Sequence, residues 1–272
     1  MAKKYISYLG VLVLACFSFY YTDRAVDIVK RNDPIMKSIL AHSKDYTVDS
    51  VNATISNDEI TSGRNGKKVN VDKSYYNMKK LGYFDERELK YDTVYVKNRL
   101  QNNKNKYIIG GNKNERNVTL IFNTNKNLED INQILIKHNL TASYTVSSAY
   151  LENNRNIVSE LISSKNNIIN IAVNQTNFVW VKNTVKSLGQ PQNYCLNPAE
   201  NQYKYCTLEK SYILKTDIIK DNHYIYVKHN LTNGKIFYFA SNAKLVNELD
   251  TIINYIKSKG YKIIPLNKFL NE

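Results

Sequence analysis

The stretch Arg116–Tyr144 places the tightest constraint on the fold of this chain. It opens on a nearly continuous apolar run, Val118–Phe122, which is typical of a strand buried on both faces. Asn127 stands where a helix N-cap is expected, with Asp130 three residues later as a capping-box partner. Apolar residues follow at helical spacing, and Ala142–Val146 is predicted as the next strand. This order predicts a βαβ unit, whose parallel strands require such a crossover.

Helices and strands are predicted to alternate from there to the end of the chain. The further elements are helix Asn153–Ser164, strand Ile168–Val173, helix Phe178–Leu188, strands Tyr194–Leu196, Ser211–Leu214, His223–Val227 and Lys235–Phe239, helix Asn247–Lys259 and strand Tyr261–Leu266. Alternation of this kind is typical of an α/β fold with a largely parallel sheet. We therefore predict an incomplete, distorted (β/α) barrel over residues 112–272.

The first part of the chain predicts an attachment to a membrane. Lys3 and Lys4 precede an apolar run, Tyr5–Tyr21, which is at the short end of what spans a bilayer. By the positive-inside rule the basic flank stays in the cytoplasm, so the body is expected outside the cell membrane. We predict an uncleaved signal anchor, a transmembrane helix over residues 1–22, with a cleaved signal peptide or a lipoprotein signal as alternatives. An amphipathic stalk helix is predicted over residues 23–44.

Residues 45–111 predict a separate small α+β domain. Short alternating runs such as Val51–Ile55 indicate strands. A helix is expected between Asp72, a plausible N-cap, and Gly82, a plausible C-cap.

The charge balance restricts the partners. Lys and Arg number 38 against 24 Asp and Glu, which gives a formal net charge of +14. Outside a cell this suits an anionic envelope polymer or lipid headgroups, and a solvated Lys-rich surface is the alternative. No RNA- or DNA-binding motif accompanies the charge, so nucleic acid is not an expected partner. The sequence has no P-loop, dinucleotide fingerprint or G-x-S-x-G motif.

Cysteines and histidines give no metal-binding pattern. Cys195 and Cys206 flank a short polar stretch, and in the oxidising conditions outside a cell they form either a disulfide or two buried thiols. No Cys/His spacing of a zinc site is present. His223 and His229 flank a predicted strand near two aspartates, which leaves a substitute metal site or plain surface residues as the interpretations.

The βαβ unit resembles the opening of the NodB-type polysaccharide deacetylases, carbohydrate esterase family four. In that family the first strand ends in T-F-D-D-G, and a later strand reads K-A-T-F-F. Here I-F-N-T-N, Ile121–Asn125, and T-A-S-Y-T, Thr141–Thr145, occupy the same frame. The ending K-S-K-G-Y-K-I-I-P-L-N-K-F-L, Lys257–Leu270, resembles the family's L-K-x-K-G-Y-x-F-V-T-L-S-E-L. The resemblance covers residues 117–270 and implies a barrel of the deacetylase type.

The same resemblance implies that the catalytic groups are missing. The family uses one Asp as base, a second Asp and two His to hold a metal that activates water, and a His as general acid. By position the base becomes Asn123 and the general acid becomes Ala240. The three metal ligands become Thr124, Asn174 and Phe178. A neutral amide is a poor ligand and Phe is none, so we expect neither an intact catalytic residue nor a bound metal or other cofactor.

The leading hypothesis is a membrane-anchored, extracytoplasmic, deacetylase-like protein without activity, a pseudoenzyme that binds cell-wall glycan or an envelope partner. Asn123, Thr124, Asn125 and Asn174 are the predicted substrate-binding residues, because amides both donate to and accept from sugar hydroxyls. The alternative is an active polysaccharide or peptidoglycan N-deacetylase with an atypical site. A structural or assembly protein is the third hypothesis.

Overall fold

The computed structural model describes residues 2–125 and 127–271, and the side chains of residues 11–22, 24–125 and 127–271. The helices are α1 (Ala2–Asn32), α2 (Pro34–His42), α3 (Val71–Leu81), α4 (Leu128–Lys137), α5 (Ser148–Asn153), α6 (Arg155–Ser163), α7 (Gln175–Ser187), α8 (Glu200–Leu208), α9 (His223–Asn230), α10 (Ala243–Ser258) and α11 (Leu266–Phe269). The strands are β1 (Thr54–Ser56), β2 (Glu59–Thr61), β3 (Gly66–Val69), β4 (Tyr91–Val94), β5 (Tyr107–Gly110), β6 (Asn117–Asn123), β7 (Ser143–Val146), β8 (Asn167–Asn170), β9 (Tyr194–Leu196), β10 (Tyr212–Leu214), β11 (Ile218–Ile219), β12 (Lys235–Phe239) and β13 (Lys262–Ile263).

The chain forms two compact units. The larger contains Ser50–Asn65 and the described residues from Tyr95 onward, and the smaller contains the described residues up to Asp49 with Gly66–Val94. The predicted small domain, residues 45–111, is therefore divided between the two units.

The larger unit is built on one sheet of eleven strands in the order β1-β2-β5-β10-β9-β8-β7-β6-β12-β11, with β13 paired to β6. All neighbours are parallel except β1 and β2. Because the described strands end at two free edges, the sheet is a curled half-barrel and not a closed barrel. This agrees with the predicted incomplete barrel of the deacetylase type.

Strand β6 is buried on both faces, as its apolar run predicts. Val118, Leu120 and Phe122 pack into a core between the sheet and its helices. Ile121 points into a second core on the inner face of the sheet, which Phe269 of α11 also enters. The two cores hold β6 in place from both sides, so the position of its carboxyl end is well defined.

The predicted βαβ unit is confirmed as β6, α4 and β7, but its predicted capping box is wrong. Asn127 stands at the N-cap of α4 without a capping side-chain bond. Its amide Nδ2 instead donates to the carbonyl of Ser241, 3.0 Å away and far along the chain. The Asn127 side chain therefore bonds a residue distant in the sequence and does not cap the helix as predicted.

Three other predicted elements differ from the structure. The predicted strand His223–Val227 is helix α9. The predicted helix Asn153–Ser164 is α6, and a further helix that was not predicted, α5, precedes it. The final strand is shorter than predicted, because Pro265 follows β13 and begins α11.

The smaller unit is held together by its own core. Ile35, Met36 and Ile39 of α2 are buried in one cluster with apolar residues of α3 and β3. Part of the predicted stalk, residues 23–44, is thus packed and not solvated. Gly82 ends α3 with a φ of +84°, as predicted, but the N-cap is Asn70 and not Asp72.

The predicted signal anchor, residues 1–22, lies partly outside the described side chains, which begin at Val11. Among the described residues, no helix is both long enough and apolar enough to cross a bilayer.

Candidate functional site

The carboxyl ends of β6 and β12 meet because the two strands are parallel neighbours, with Phe239 opposite Phe122. Asn123, which the resemblance predicts at the position of the family's base, is the last residue of β6. Its Oδ1 accepts the backbone N–H of Ser241 at 2.5 Å, and its backbone carbonyl accepts the Ser241 hydroxyl at 2.6 Å. Ser241 is buried. Asn123 therefore joins two strand ends, and its amide oxygen already has a donor.

The next two predicted residues are also bonded within the fold. The Thr124 hydroxyl donates to the carbonyl of Thr145, at the end of the neighbouring strand β7, at 2.8 Å. Asn125 Nδ2 donates to the carbonyl of Ser241, and its Oδ1 accepts the backbone N–H of Asn127 at 2.9 Å. The loop after β6 is thus tied to β7 on one side and to the segment after β12 on the other.

The two residues predicted at the positions of the family's histidine ligands follow β8. Asn174 is the N-cap of α7, and its Oδ1 accepts the backbone N–H of Asn177 at 2.9 Å. Phe178 is 1% exposed and belongs to the main core. The predicted helix Phe178–Leu188 begins earlier, at Gln175, because Asn174 supplies this cap.

Sequence reasoning missed Asn170, the buried last residue of β8. Its Nδ2 donates to the carbonyl of Phe178 at 2.9 Å and its Oδ1 accepts the N–H of Ala172 at 3.0 Å. An Asn beside the apolar pair Ile168 and Ile169 was the available signal, since a buried amide needs partners.

The predicted position of the family's general acid carries no titratable group. Ala240 follows β12, and its backbone N–H donates to the carbonyl of Ile219 in β11 at 2.9 Å. Two residues earlier, Tyr238 is half-buried, and this burial raises the pKa of its phenol. The phenol therefore stays protonated near neutral pH and does not act as a base.

These side chains do not fit the divalent metal that the resemblance implies. The Thr124 hydroxyl donates to a carbonyl, and the Asn174 oxygen accepts a helix N–H. Phe178 has no side-chain atom that could bind a metal. Within the part of the chain that the structure describes, no group of three or more His, Cys, Asp or Glu could hold a metal ion.

The interpretation of His223 as a surface residue is wrong. Its side chain is fully buried in α9, with the ring 6.0 Å from that of Phe239. Its Nδ1 lies 3.4 Å from Glu248 Oε2 of α10.

Cys195 and Cys206 form a disulfide, which decides between the two open interpretations. Both residues are buried, Cys195 in β9 and Cys206 in α8. The polar stretch between them is largely helical and not a loop.

A cavity of about 570 Å³, which the sequence did not reveal, lies between α4 and the pair α5–α6. We call it the helix groove. Its α4 side includes Asn125, Glu129, Asn132 and Gln133, and its other side includes Asn154 and Glu160. Asn125 places one end of the groove beside the loop after β6.

Apolar side chains of Leu128, Ile157 and Leu161 also line the helix groove, together with Tyr150. Burial raises the pKa of Tyr150, so its hydroxyl remains protonated near neutral pH. The groove thus combines an apolar lining with amides, hydroxyls and carboxylates, the composition typical of a small-molecule site.

The fold has known counterparts. No family model matches the sequence. The chain is 27% identical over 193 residues to the uncharacterized protein YlxY of Bacillus subtilis strain 168, a match that covers 64% of this chain and 60% of that protein. BA3943 of Bacillus anthracis, a CE4 family pseudoenzyme, superposes with a TM-score of 0.64 at 20% identity over 89% of this chain and 96% of its own. The chain has the fold of the family 4 carbohydrate esterases.

Two further structures bear on this fold. A BA3943 mutant described as having restored enzymatic activity gives the same TM-score of 0.64, over 88% of this chain and 99% of its own, at 20% identity. PdaA of Bacillus subtilis, a family 4 carbohydrate esterase, gives 0.55 at 15% identity over 62% of this chain and 87% of its own. The resemblance seen in Ile121–Asn125 and Lys257–Leu270 is thus confirmed as a likeness of fold.

Proposed function

We propose that the protein is a deacetylase-like protein without hydrolase activity, held at the outer face of the cell membrane, that binds a cell-wall glycan. One observation carries the proposal of inactivity. Asn123, Thr124 and Asn174 are neutral and hydrogen-bonded within the fold, and Phe178 and Ala240 offer no polar side-chain atom. Hydrolysis requires a proton acceptor or a metal-bound water within reach of the substrate, and these side chains supply neither.

The helix groove supports glycan binding better than the strand ends do. Its volume of about 570 Å³ lies within the range of small-molecule sites. Of the predicted substrate-binding residues, Asn125 lines the groove, whereas Asn123, Thr124 and Asn174 do not. We therefore propose that the glycan binds between the helices and not at the end of the sheet. Asn125 borders both places.

Two features support a location outside the cytoplasm. The disulfide between Cys195 and Cys206 is of a kind that persists in oxidising compartments. Lys3 and Lys4 stand before an apolar run, which favours a cytoplasmic start. Protease added to intact, wall-stripped cells should digest the body of the protein. Full protection from protease would contradict this part of the proposal.

The activity test uses acetate release and metal content. Purified protein is incubated with N-acetylglucosamine oligomers and peptidoglycan, beside an active family 4 esterase. We expect no acetate release above the rate without enzyme, and no stoichiometric divalent metal after dialysis. Release as fast as that of the active esterase would show an N-deacetylase with an atypical site.

A restoration variant makes a negative result informative. Asn123→Asp, Thr124→Asp, Asn174→His, Phe178→His and Ala240→His together rebuild the family's groups on the inherited frame. Metal uptake and acetate release by this variant, and not by the wild type, would show that the missing groups alone explain the inactivity. Binding is measured separately by calorimetry with the same oligomers, and absence of binding would favour a structural or assembly role.

A further inference from the structure

The helix groove lies between two helical walls. On one side Glu129, Asn132 and Gln133 share a face of α4, and Asn125 precedes them in the loop. On the other side the lining includes Tyr150 of α5, Asn154 at the junction of the two helices, and Ile157 and Leu161 of α6. At 1.5 Å of rise per residue the α4 part of this side, from Glu129 to Gln133, is about 6 Å long.

Within the described part of the chain, several polar groups that line the groove keep donor or acceptor atoms for a ligand. Asn132 Oδ1 accepts the Tyr144 hydroxyl at 3.3 Å, which leaves its amide N–H groups. Asn154 Nδ2 donates to the carbonyl of Tyr150 at 3.0 Å, which leaves its Oδ1 as an acceptor. With the Tyr150 hydroxyl, the groove offers both donors and acceptors beside apolar surface, as a sugar ring requires.

The charge of the groove is opposite to that of the protein. The eleven lining residues that the structure describes include Glu129 and Glu160, both exposed, but no Lys, Arg or His. Among the described residues neither carboxylate has an ion-pair or hydrogen-bond partner. In a chain with a net charge of +14, two unpartnered carboxylates on opposite walls of one cavity favour a cationic ligand group.

We infer that the helix groove binds a glycan whose amino sugars carry free amines, the product of N-deacetylation. The inference rests on the proposed glycan-binding function and names its ligand. The ammonium groups lie against Glu129 and Glu160, while the amides of Asn132 and Asn154 bind hydroxyls and Leu161 contacts a ring face. An N-acetylated glycan lacks the ammonium groups and leaves both carboxylates unpaired.

The test compares two oligomers on the full chain. Glucosamine hexamer and N-acetylglucosamine hexamer are titrated calorimetrically in the same buffer, slightly below neutral pH so that the amines are charged. We expect the glucosamine hexamer to bind more tightly, although the net charge of the protein repels it. Glu129→Gln and Glu160→Gln are each expected to weaken its binding about two- to fivefold, the range of an exposed ion pair.

Matched controls separate the groove from general charge effects. Asp130→Asn removes one negative charge from the first turn of α4, as Glu129→Gln does. Glu152→Gln removes one negative charge from α5. Neither Asp130 nor Glu152 lines the groove. Both controls should leave the affinity for glucosamine hexamer unchanged, and the groove variants should leave the affinity for the acetylated hexamer unchanged.

The outcomes distinguish this inference from the proposed function. If the acetylated hexamer binds as tightly as the glucosamine hexamer, or if the groove variants bind glucosamine hexamer like the wild type, the inference is overturned and glycan binding stands. If neither oligomer binds, both this inference and the proposed glycan-binding function are wrong. If a short lysine peptide binds through Glu129 and Glu160 and neither hexamer does, the occupant is a peptide and the glycan proposal falls.

Discussion

Replacing Phe178 by His should destabilise the protein strongly, although it restores a ligand of the family's metal. Phe178 is 1% exposed and packs in the main core with Val181 of the same helix. Full burial of such a side chain contributes about 1.5–3 kcal/mol. An imidazole in its place leaves ring nitrogens without partners, which costs about another 1–3 kcal/mol. The sum, about 2.5–6 kcal/mol, is a large share of the roughly 5–15 kcal/mol by which a domain is stable.

Urea unfolding followed by circular dichroism measures this loss. Phe178→Leu is the matched control, because it keeps an apolar side chain at the site and should cost only about 1–1.5 kcal/mol. A Phe178→His variant that unfolds at the same urea concentration as Phe178→Leu would refute the reasoning, since it would mean that the site accepts a polar ring.

The same unfolding experiment is repeated with a divalent metal ion. In the five-site restoration variant, a divalent ion should recover stability by binding the folded state alone, about 2.7 kcal/mol at a hundredfold excess over the dissociation constant. The same ion should leave the wild type and the single Phe178→His variant unchanged. A shift in the wild type would mean that it holds a metal through other residues.

Three further predictions concern the bonds that hold the larger unit. Ser241→Ala removes the hydroxyl that donates to the carbonyl at the end of β6, and should lower the free energy of unfolding by about 1 kcal/mol in urea. Replacing Cys195 and Cys206 by Ser opens a loop of sequence separation 11 and should cost about 3 kcal/mol, with reductant then having no further effect. Asp250 accepts a hydrogen bond from His138, which lowers the pKa of Asp250. The stabilisation by ionised Asp250 is fully present at a pH above the ordinary pKa of an Asp. It is lost as the pH falls through the lowered pKa of Asp250. Asp250→Asn should therefore reduce the melting temperature at neutral pH and match the wild type in strong acid.

The frame of the fold could be predicted because its signals are local. The run Val118–Phe122 and the helical spacing after Asn127 report burial directly, since each residue's face follows from its place in the element. The residues Lys257–Leu270 at the end of the chain also indicate burial through their local pattern. The prediction of one incomplete barrel therefore needed no knowledge of distant partners.

Helix α9 shows where local signals mislead. Tyr224, Ile225, Tyr226 and Val227 are aromatic or β-branched, and such runs favour strands. The structure instead buries His223 and Val227, four residues apart on one helical face, against the larger core. Tertiary burial overrode the strand propensity.

The roles of the amides could not be predicted for a different reason. An Asn at a strand end is equally suited to a sugar hydroxyl and to a backbone N–H, so its residue type does not decide between them. The deciding partner of Asn123 is Ser241, 118 residues away. Only the pairing of β6 with β12 brings the two together, and no local pattern in the sequence reports that pairing.

The same bonds explain how the frame persists without charged groups at its strand ends. Asn123 ties β6 to the segment after β12, Thr124 ties the loop after β6 to β7, and Asn170 ties β8 to the start of α7. The two positions after β6 differ in how they tolerate the family's carboxylates. An Asp at 123 still accepts the Ser241 N–H, so the link survives the exchange. An Asp at 124 loses the hydroxyl that donates to Thr145 and sets a carboxylate against a carbonyl oxygen. The bond at Thr124 therefore opposes the introduction of a carboxylate more strongly than the bond at Asn123 does.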